Sequence, residues 1–183
     1  MLEECLALAL QAPTGSNHQG WQWVVVTDPD TRKAIADHYG RNFDAYLSSG
    51  SREYPEGDVR ADRQDAVRES ARFLRVHMHE APALVIPLSE GRIDGADAFA
   101  QASYWGSILP AAWSLMLALR SRGIGSAWTT LHLPNEKDVA ELLDIPYDRY
   151  TQAGLFPVAY TVGTDFKRAR RRPLGEVVHW ERW

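Results

Sequence analysis

The feature that most constrains this chain is the run at residues 97–122. There Phe99, Trp105, Ile108, Leu109, Ala112, Met116 and Leu119 recur at helical spacing. It is the longest helical pattern in the 183 residues, and apolar residues occupy nearly every face of its second half. A helix that is apolar all round has to be enclosed by other elements, so it is expected to form a buried central spine. Pro110 removes a backbone donor inside it and is expected to kink it. One spine of this kind in a chain of 183 residues points to a single domain, residues 1–183, around one sizeable core.

The flanking segments alternate loosely between strand and helix. "WQWVVVT" at residues 21–27 is aromatic and β-branched, the composition of a buried strand. Asp28-Pro29 then caps and opens a helix that Gly40 is expected to stop, with a second short helix near residues 43–47. Residues 48–58 are polar and broken by Gly and Pro, a mobile loop. A charged amphipathic helix over residues 60–80 leads into a short buried strand, "APALVIPLS", and then the loop "EGRIDG". After the spine, "GIGSAWTT" turns into a third strand, residues 134–143 form a helix, and residues 153–163 form a fourth strand. The fold class expected is α+β, a sandwich of a mixed sheet of four to five strands and flanking helices.

Net charge is −4, which excludes a global attraction to nucleic acid. A single cysteine, Cys5, excludes an internal disulfide and fits a reducing, cytoplasmic setting. No apolar run reaches the roughly 18 residues of a membrane span, and the start lacks the layout of a signal peptide. "MLEECLALALQ" already reads as helix, with Leu2, Cys5, Leu6, Ala9 and Leu10 on one face and no capping residue before them. The expectation is therefore that natural sequence precedes residue 1.

Three segments carry candidate chemistry. "QAPTGSNHQGWQW" stacks a Pro, a Gly and short polar side chains between two apolar elements. Gly15 permits close backbone approach, and Thr14, Ser16 and Asn17 offer uncharged donors and acceptors. The loop either only turns or holds a neutral, polar-edged ligand. "GIGSAWTT" is not a dinucleotide fingerprint, because Trp128 stands at the third position and the order is helix to strand. It is either an ordinary cap and strand or a pocket wall at residues 128–130. In "KRARRRPLGEVV", five of the six residues from 167 to 172 are basic. That run is either a solvated or nucleic-acid-binding patch, or a docked tail that carries one Arg into a site. His77 and His79 point apart on a helix, so no metal site is expected. Cys5 reads as core, and neither a nucleophile elbow nor a phosphate loop occurs.

In that order, "APTGSNHQGWQWVVV", "GIGSAWTT" and "RRPLGEVV" resemble the FMN-dependent nitroreductase family. The group also holds flavin reductases, iodotyrosine-type dehalogenases and a flavin-destroying branch. The resemblance spans nearly the whole chain. It implies that the first loop lies against the flavin ring of the partner subunit, through Pro13, Thr14, Gly15 and Asn17 with Ser16 near. It also implies that Trp128, Thr129 and Thr130 contact the ring or ribityl chain, and that Arg171 binds the FMN phosphate.

Two departures stand out. The family's Arg-Arg-Ser-x-Arg opening would precede residue 1, and Gly20 stands where Pro is frequent. The implied activity is an oxidoreductase that takes electrons from NAD(P)H through flavin to a nitroaromatic, quinone or similar acceptor in ping-pong fashion. No side-chain acid or base is required, so no catalytic residue is assigned. The implied assembly is a homodimer, with the C-terminal tail from residue 177 crossing to the partner and residues 48–58 and "SEGRIDG" covering the substrate face. Glu53, Tyr54 and Glu56 fit the dehalogenase lid poorly, since no Lys lies between Lys33 and Lys137. The alternative is a dimeric flavin-binding module with little or no turnover.

Overall fold

The computed structural model describes residues 1–50, 53–163 and 165–183. Five helices, α1 (Leu2–Ala9), α2 (Pro29–Ser48), α3 (Gln64–His77), α4 (Ala98–Arg120) and α5 (Glu136–Leu142), surround one sheet. Its strands are β1 (Trp21–Val26), β2 (Ala83–Glu90), β3 (Ile124–Ser126), β4 (Tyr150–Gln152) and β5 (Phe156–Tyr160). The order is β1-β2-β5-β3, with β4 also on β2. Every pairing is antiparallel, so the sheet within one chain is not mixed.

β2 organises the domain. It pairs with β1 from Trp21 opposite Ser89 to Val26 opposite Leu84. Its other edge is shared in succession by β5 near Ala83 and Val85 and by β4 near Leu88 and Glu90. Alternate residues serve opposite faces, as a pleated strand requires. Leu84, Ile86 and Leu88 join Ile35, Tyr39, Phe43 and Val139 in the core under α2 and α5. Val85 joins Cys5, Ala112, Leu115, Leu119 and Phe156 in the core under α1 and α4. Helices therefore cover both faces, and each large apolar side chain fully buried there contributes about 1.5–3 kcal/mol.

Side-chain caps start the two long helices. Asp28 accepts from Thr31 N at 2.8 Å, and Asp97 accepts from Ala100 N at 2.8 Å. The hydrogen bonds from Thr31 hold the Asp28 carboxyl below its usual pKa, which keeps it ionised at the positive end of α2.

Several expectations are corrected. β1 is an edge strand, and only Val26 of its six residues is buried. α2 does not stop at Gly40 but continues to Ser48. Gly40 instead provides room: a Cβ there would lie 2.6 Å from the Arg75 guanidinium, which crosses from α3 to pair with Asp44 at 2.7 Å. The loop expected at residues 48–58 is thus shortened at its start; Ser51 and Arg52 within it lie outside the described residues. The strand expected at 153–163 is β5, shorter at both ends, and an unexpected strand, β4, precedes it. Between them Leu155 leaves the β2 edge and exchanges backbone hydrogen bonds with Thr129.

α4 is unbroken across Pro110. It is not buried all round. Ile108, Ala112, Leu115 and Leu119 have no exposure, while Trp113 and Leu117 remain about half exposed at 54% and 52%. Residues 165–183 are exposed along their whole length, including Trp180 and Trp183. No described helix is long and apolar enough to cross a membrane, and no metal-binding group of side chains occurs among the described residues.

Candidate functional site

The opening loop is built against α4. Pro13 is exposed and Thr14 extended, and a short 3-10 turn at Gly15–Asn17 follows. Ser16, Asn17 and Gln19 all take positive φ, at 53°, 55° and 52°. For residues with a Cβ this left-handed region costs about 1–2 kcal/mol each. Polar contacts hold it. Gly15 N donates to Ser107 Oγ at 3.0 Å, and that hydroxyl donates to Ser103 O at 2.9 Å. Gln19 N donates to Thr14 Oγ1 at 3.0 Å, and the Gln19 amide donates to Asn17 Oδ1 at 2.9 Å. A Cβ on Gly15 would lie 2.9 Å from Ser103 Oγ, so glycine is what lets the loop sit this close to the helix. Trp21 fixes the exit from the loop by donating its indole N–H to Ser107 O at 3.1 Å. A connection that merely turned would not need three strained residues, which favours the ligand-holding reading of this loop.

The second segment is braced from behind. Trp128 packs edge-to-face on Phe156 with ring centres 5.1 Å apart. Thr129 exchanges backbone hydrogen bonds with Leu155, and its hydroxyl donates to Leu155 O at 3.0 Å. Gly154 makes room behind it, since a Cβ there would meet Trp128 Nε1 at 3.0 Å. Trp128, Thr129 and Thr130 line a cavity of about 600 Å³ together with Tyr39 and Tyr46 of α2, Val67 of α3 and Arg63, the last residue of the 3-10 turn that leads into α3. Burial raises the Tyr39 phenol pKa against a smaller opposing effect of Arg75, so it faces the cavity as a neutral hydroxyl. Arg171 lines an adjoining cavity of about 520 Å³ that shares Arg63 and Val67 with the first. The two cavities adjoin at these residues as a two-part trough: apart from Arg63 the first part is lined by uncharged residues, and the second carries the cations.

The opening loop lines a third cavity, of about 450 Å³, with Ser103, Tyr104 and Glu90. Within one chain the structure therefore brings Trp128, Thr129, Thr130 and Arg171 to one trough and leaves Thr14, Gly15 and Ser16 at another place; Pro13 and Asn17 line neither. The "SEGRIDG" loop borders this third cavity and is pinned. Arg92 pairs with Glu136 at 3.0 Å and lies 4.2 Å over the Tyr147 ring.

Sequence reasoning passed over Tyr39, Tyr46, Arg63 and Val67. They come from α2, α3 and the 3-10 turn between them, and the only trace of Arg63 is one more cation in a charged stretch. It also passed over His132, which sits two residues beyond Thr130 and is fully buried. Neither of its ring nitrogens has a hydrogen-bond partner, and burial lowers its pKa to about 4.

Comparison with known proteins finds the same fold. Iodotyrosine deiodinase bound to FMN and 3-iodo-L-tyrosine superimposes with a TM-score of 0.70 at 25% identity, over 100% of this chain and 87% of that one. A BluB-like flavoprotein from Clostridium difficile 630 gives 0.69 at 18% identity, over 98% and 87%. The FMN-dependent nitroreductase NfnB from Mycobacterium smegmatis in complex with NADPH gives 0.67 at 19% identity, over 99% and 87%. The latter two likenesses show the fold alone. A search of curated proteins finds none that matches. The family model described as Nitroreductase family matches residues 1–160, and the chain belongs to that family.

Proposed function

We propose that this protein is an FMN-dependent oxidoreductase that passes electrons from NAD(P)H to a small electron-poor acceptor of the nitroaromatic or quinone type. The observation that carries the reading is that the cavity walled by Trp128–Thr130 adjoins, at Arg63 and Val67, the cavity that holds Arg171. Its residues fit the cofactor. FMN joins a flat, uncharged ring with a polar edge to a phosphate, and the trough joins an uncharged, backbone-lined end to a cationic one. When bound, the flavin supplies the redox chemistry, accepting hydride from the nicotinamide and passing electrons on.

The chain's own residues position and exclude. The 128–130 backbone, fixed by Leu155 and Phe156, faces the ring. Val67 and Leu74 keep that end of the trough apolar. Tyr39 keeps its proton and offers a hydroxyl to a ligand's polar edge. Arg171 holds the phosphate, and a guanidinium suits that role because its forked donors match phosphate oxygens. No acid or base is assigned, so donor and acceptor occupy the same place in turn, giving ping-pong kinetics.

The opening loop completes the site from a second copy of the chain. That reading is supported by its separate cavity, by the exposed Trp113 and Leu117 on α4, and by the exposed Trp180 and Trp183 of the tail. The fully buried Cys5 suits a reducing, cytoplasmic setting.

The test is an absorption spectrum of the purified protein after adding FMN, followed by NADPH without air. A yellow, dimeric protein that bleaches with NADPH and recolours with p-nitrobenzoate or a benzoquinone is expected. A protein that takes up no FMN sinks the proposal, and one that is yellow but does not bleach reduces it to a binding module without turnover. The 25% identity to iodotyrosine deiodinase places 3-iodotyrosine among the acceptors to assay. Here, however, the cation on the trough wall is Arg63.

A further inference from the structure

The cavity of about 450 Å³ under the opening loop joins apolar walls to one acid. Trp21, Ile93, Phe99 and Tyr104 supply the apolar faces, and Phe99 is 84% exposed in the first turn of α4. Among the lining residues Glu90 is the only acidic one and His18 the only basic one. The backbone on both sides fixes where the carboxylate stands. Glu90 ends β2, where its N–H donates to Gly20 O at 2.9 Å and it lies opposite Tyr150 of β4. The Tyr104 hydroxyl donates to the pair Ser89 O and Gly91 O, at 2.9 and 2.8 Å, so both neighbours of Glu90 are tied to α4. Thr151 Oγ1 adds a tie to Gly91 O from β4, at 2.8 Å.

Little nearby charge offsets the acid. Arg92 is already over-matched, with Asp94 at 2.8 Å and Glu136 at 3.0 Å. The His18 imidazole comes within 3.4 Å of Glu90 and offsets it only when protonated. It occupies space that Gly20 leaves open, since a Cβ there would lie 2.7 Å from the ring.

We infer that Glu90 sets the charge class of the acceptor: the cavity admits flat aromatic or quinoid acceptors that are neutral or cationic and discriminates against those carrying a carboxylate or sulfonate. The inference rests on the reading above, because this cavity meets the acceptor only through the opening loop that a second copy contributes. Phe99, Ile93 and Tyr104 hold a ring without regard to its charge. A substituent on the Glu90 side then meets a negative charge in surroundings less polarisable than water, which attracts an ammonium and repels a carboxylate. Salt weakens both effects.

The experiment compares three acceptors of one shape on the full chain: p-nitrobenzoate, p-nitrobenzyl alcohol and p-nitrobenzylammonium. Calorimetry at low ionic strength gives their affinities without NAD(P)H, with and without FMN, and NADPH oxidation gives kcat and KM separately. In the unaltered protein the cation should bind roughly tenfold or more tightly than the anion, with the alcohol between them. Salt at about 0.5 M should shrink that ratio with no substitution made. Glu90→Gln should bring it near one and leave the alcohol within about twofold, which also shows that the variant is folded. Glu90→Asp keeps the charge and should keep most of the ratio. His18→Gln removes the basic lining residue and should keep or widen it. Comparing ratios between proteins cancels the acceptors' different reducibility, and the charge effect should fall on KM rather than kcat.

Charge-ordered binding without NADPH oxidation would count against the oxidoreductase reading and leave the charge selection standing. The inference is overturned if the unaltered protein binds none of the three, binds them alike or prefers p-nitrobenzoate, or if salt leaves the ratio unchanged. It is also overturned if Glu90→Gln keeps the ratio, or if Glu90→Asp or His18→Gln lowers it as far as Glu90→Gln does.

Discussion

Acidifying the protein from about pH 7.5 to about pH 5 should cost roughly 2 kcal/mol of folding stability through His132 alone. The side chain is fully buried, and neither ring nitrogen has a partner in good hydrogen-bond geometry, the side chain of Gln152 acting on it only weakly. Burial is the main reason its pKa falls to about 4 from 6.5, with a weaker upward pull from Gln152 and a small further lowering by His38. As pH falls, the unfolded chain takes up a proton at this ring near 6.5, while the folded chain holds it neutral until about 4. Between those values the unfolded state binds more protons, so stability rises with pH and is lost on acidification. The whole shift, at about 1.4 kcal/mol per pH unit, is on the order of 3 kcal/mol, of which pH 5 reaches about two thirds.

His132→Leu isolates the effect. The variant should be no less stable than the parent near pH 7.5, because it removes two buried polar atoms that lack partners. Its loss between the two pH values should be smaller than the parent's by about 2 kcal/mol. Urea unfolding followed by tryptophan fluorescence at fixed protein concentration measures both, and NMR titration of the imidazole gives the pKa directly. An equal acid loss in the two proteins, or a ring that titrates near 6.5, would refute the reasoning. The consequence reaches the site. Thr130 precedes His132 by two residues, and Leu131 O between them accepts from Asn42 Nδ2 at 2.7 Å. Ligand affinity in the trough should therefore not change through His132 between pH 7.5 and 5, where the folded protein keeps the ring neutral, and should fall only as pH drops through about 4.

Two further outcomes are expected. Ser107→Ala removes the acceptor for Gly15 N and the tie to Ser103 O; it should cost about 1 kcal/mol and speed amide exchange at residues 14–19, and unchanged protection there would show that the loop does not depend on α4. Deleting residues 173–183 should yield a monomer without flavin, read by light scattering and absorbance, since Leu174, Trp180 and Trp183 are largely exposed in the single chain; a dimeric, yellow product would refute the role given to the tail.

Local physics made much of the fold legible. Asp28 before Pro29 and Asp97 before an apolar run are caps whose geometry a sequence specifies by itself. The alternation in β2 shows less plainly, because both faces are apolar. Gly40 was unreadable because its value lies in a contact with Arg75, 35 residues away. α4 misled for a related reason: apolar residues all round say that a helix must be covered, not that its own chain covers it. At the site, the opening loop and residues 128–130 stand out because Gly, Pro and short polar side chains mark special backbone. Arg63 does not stand out, since only the tertiary structure places it on both cavities. His132 is silent in sequence because only tertiary burial sets its pKa.

The strain in the opening loop bears on what completes the site. Three residues in the left-handed region cost roughly 3–6 kcal/mol together. Against this stand the bonds from Gly15 N, Gln19 N and the Gln19 amide, and the backbone bonds Asn17 N to Thr14 O and His18 N to Gly15 O. At about 0.5–1.5 kcal/mol each net, they roughly balance the strain and leave little surplus. A loop that its own chain holds only near balance, on the same helix that leaves Trp113 and Leu117 half exposed, gains most from a surface laid over it. On the dimeric reading proposed above, a second copy would supply that surface and bring the loop to the other chain's trough. Dimerisation and cofactor binding would then reinforce each other, because each adds contacts to a segment the isolated chain holds without reserve.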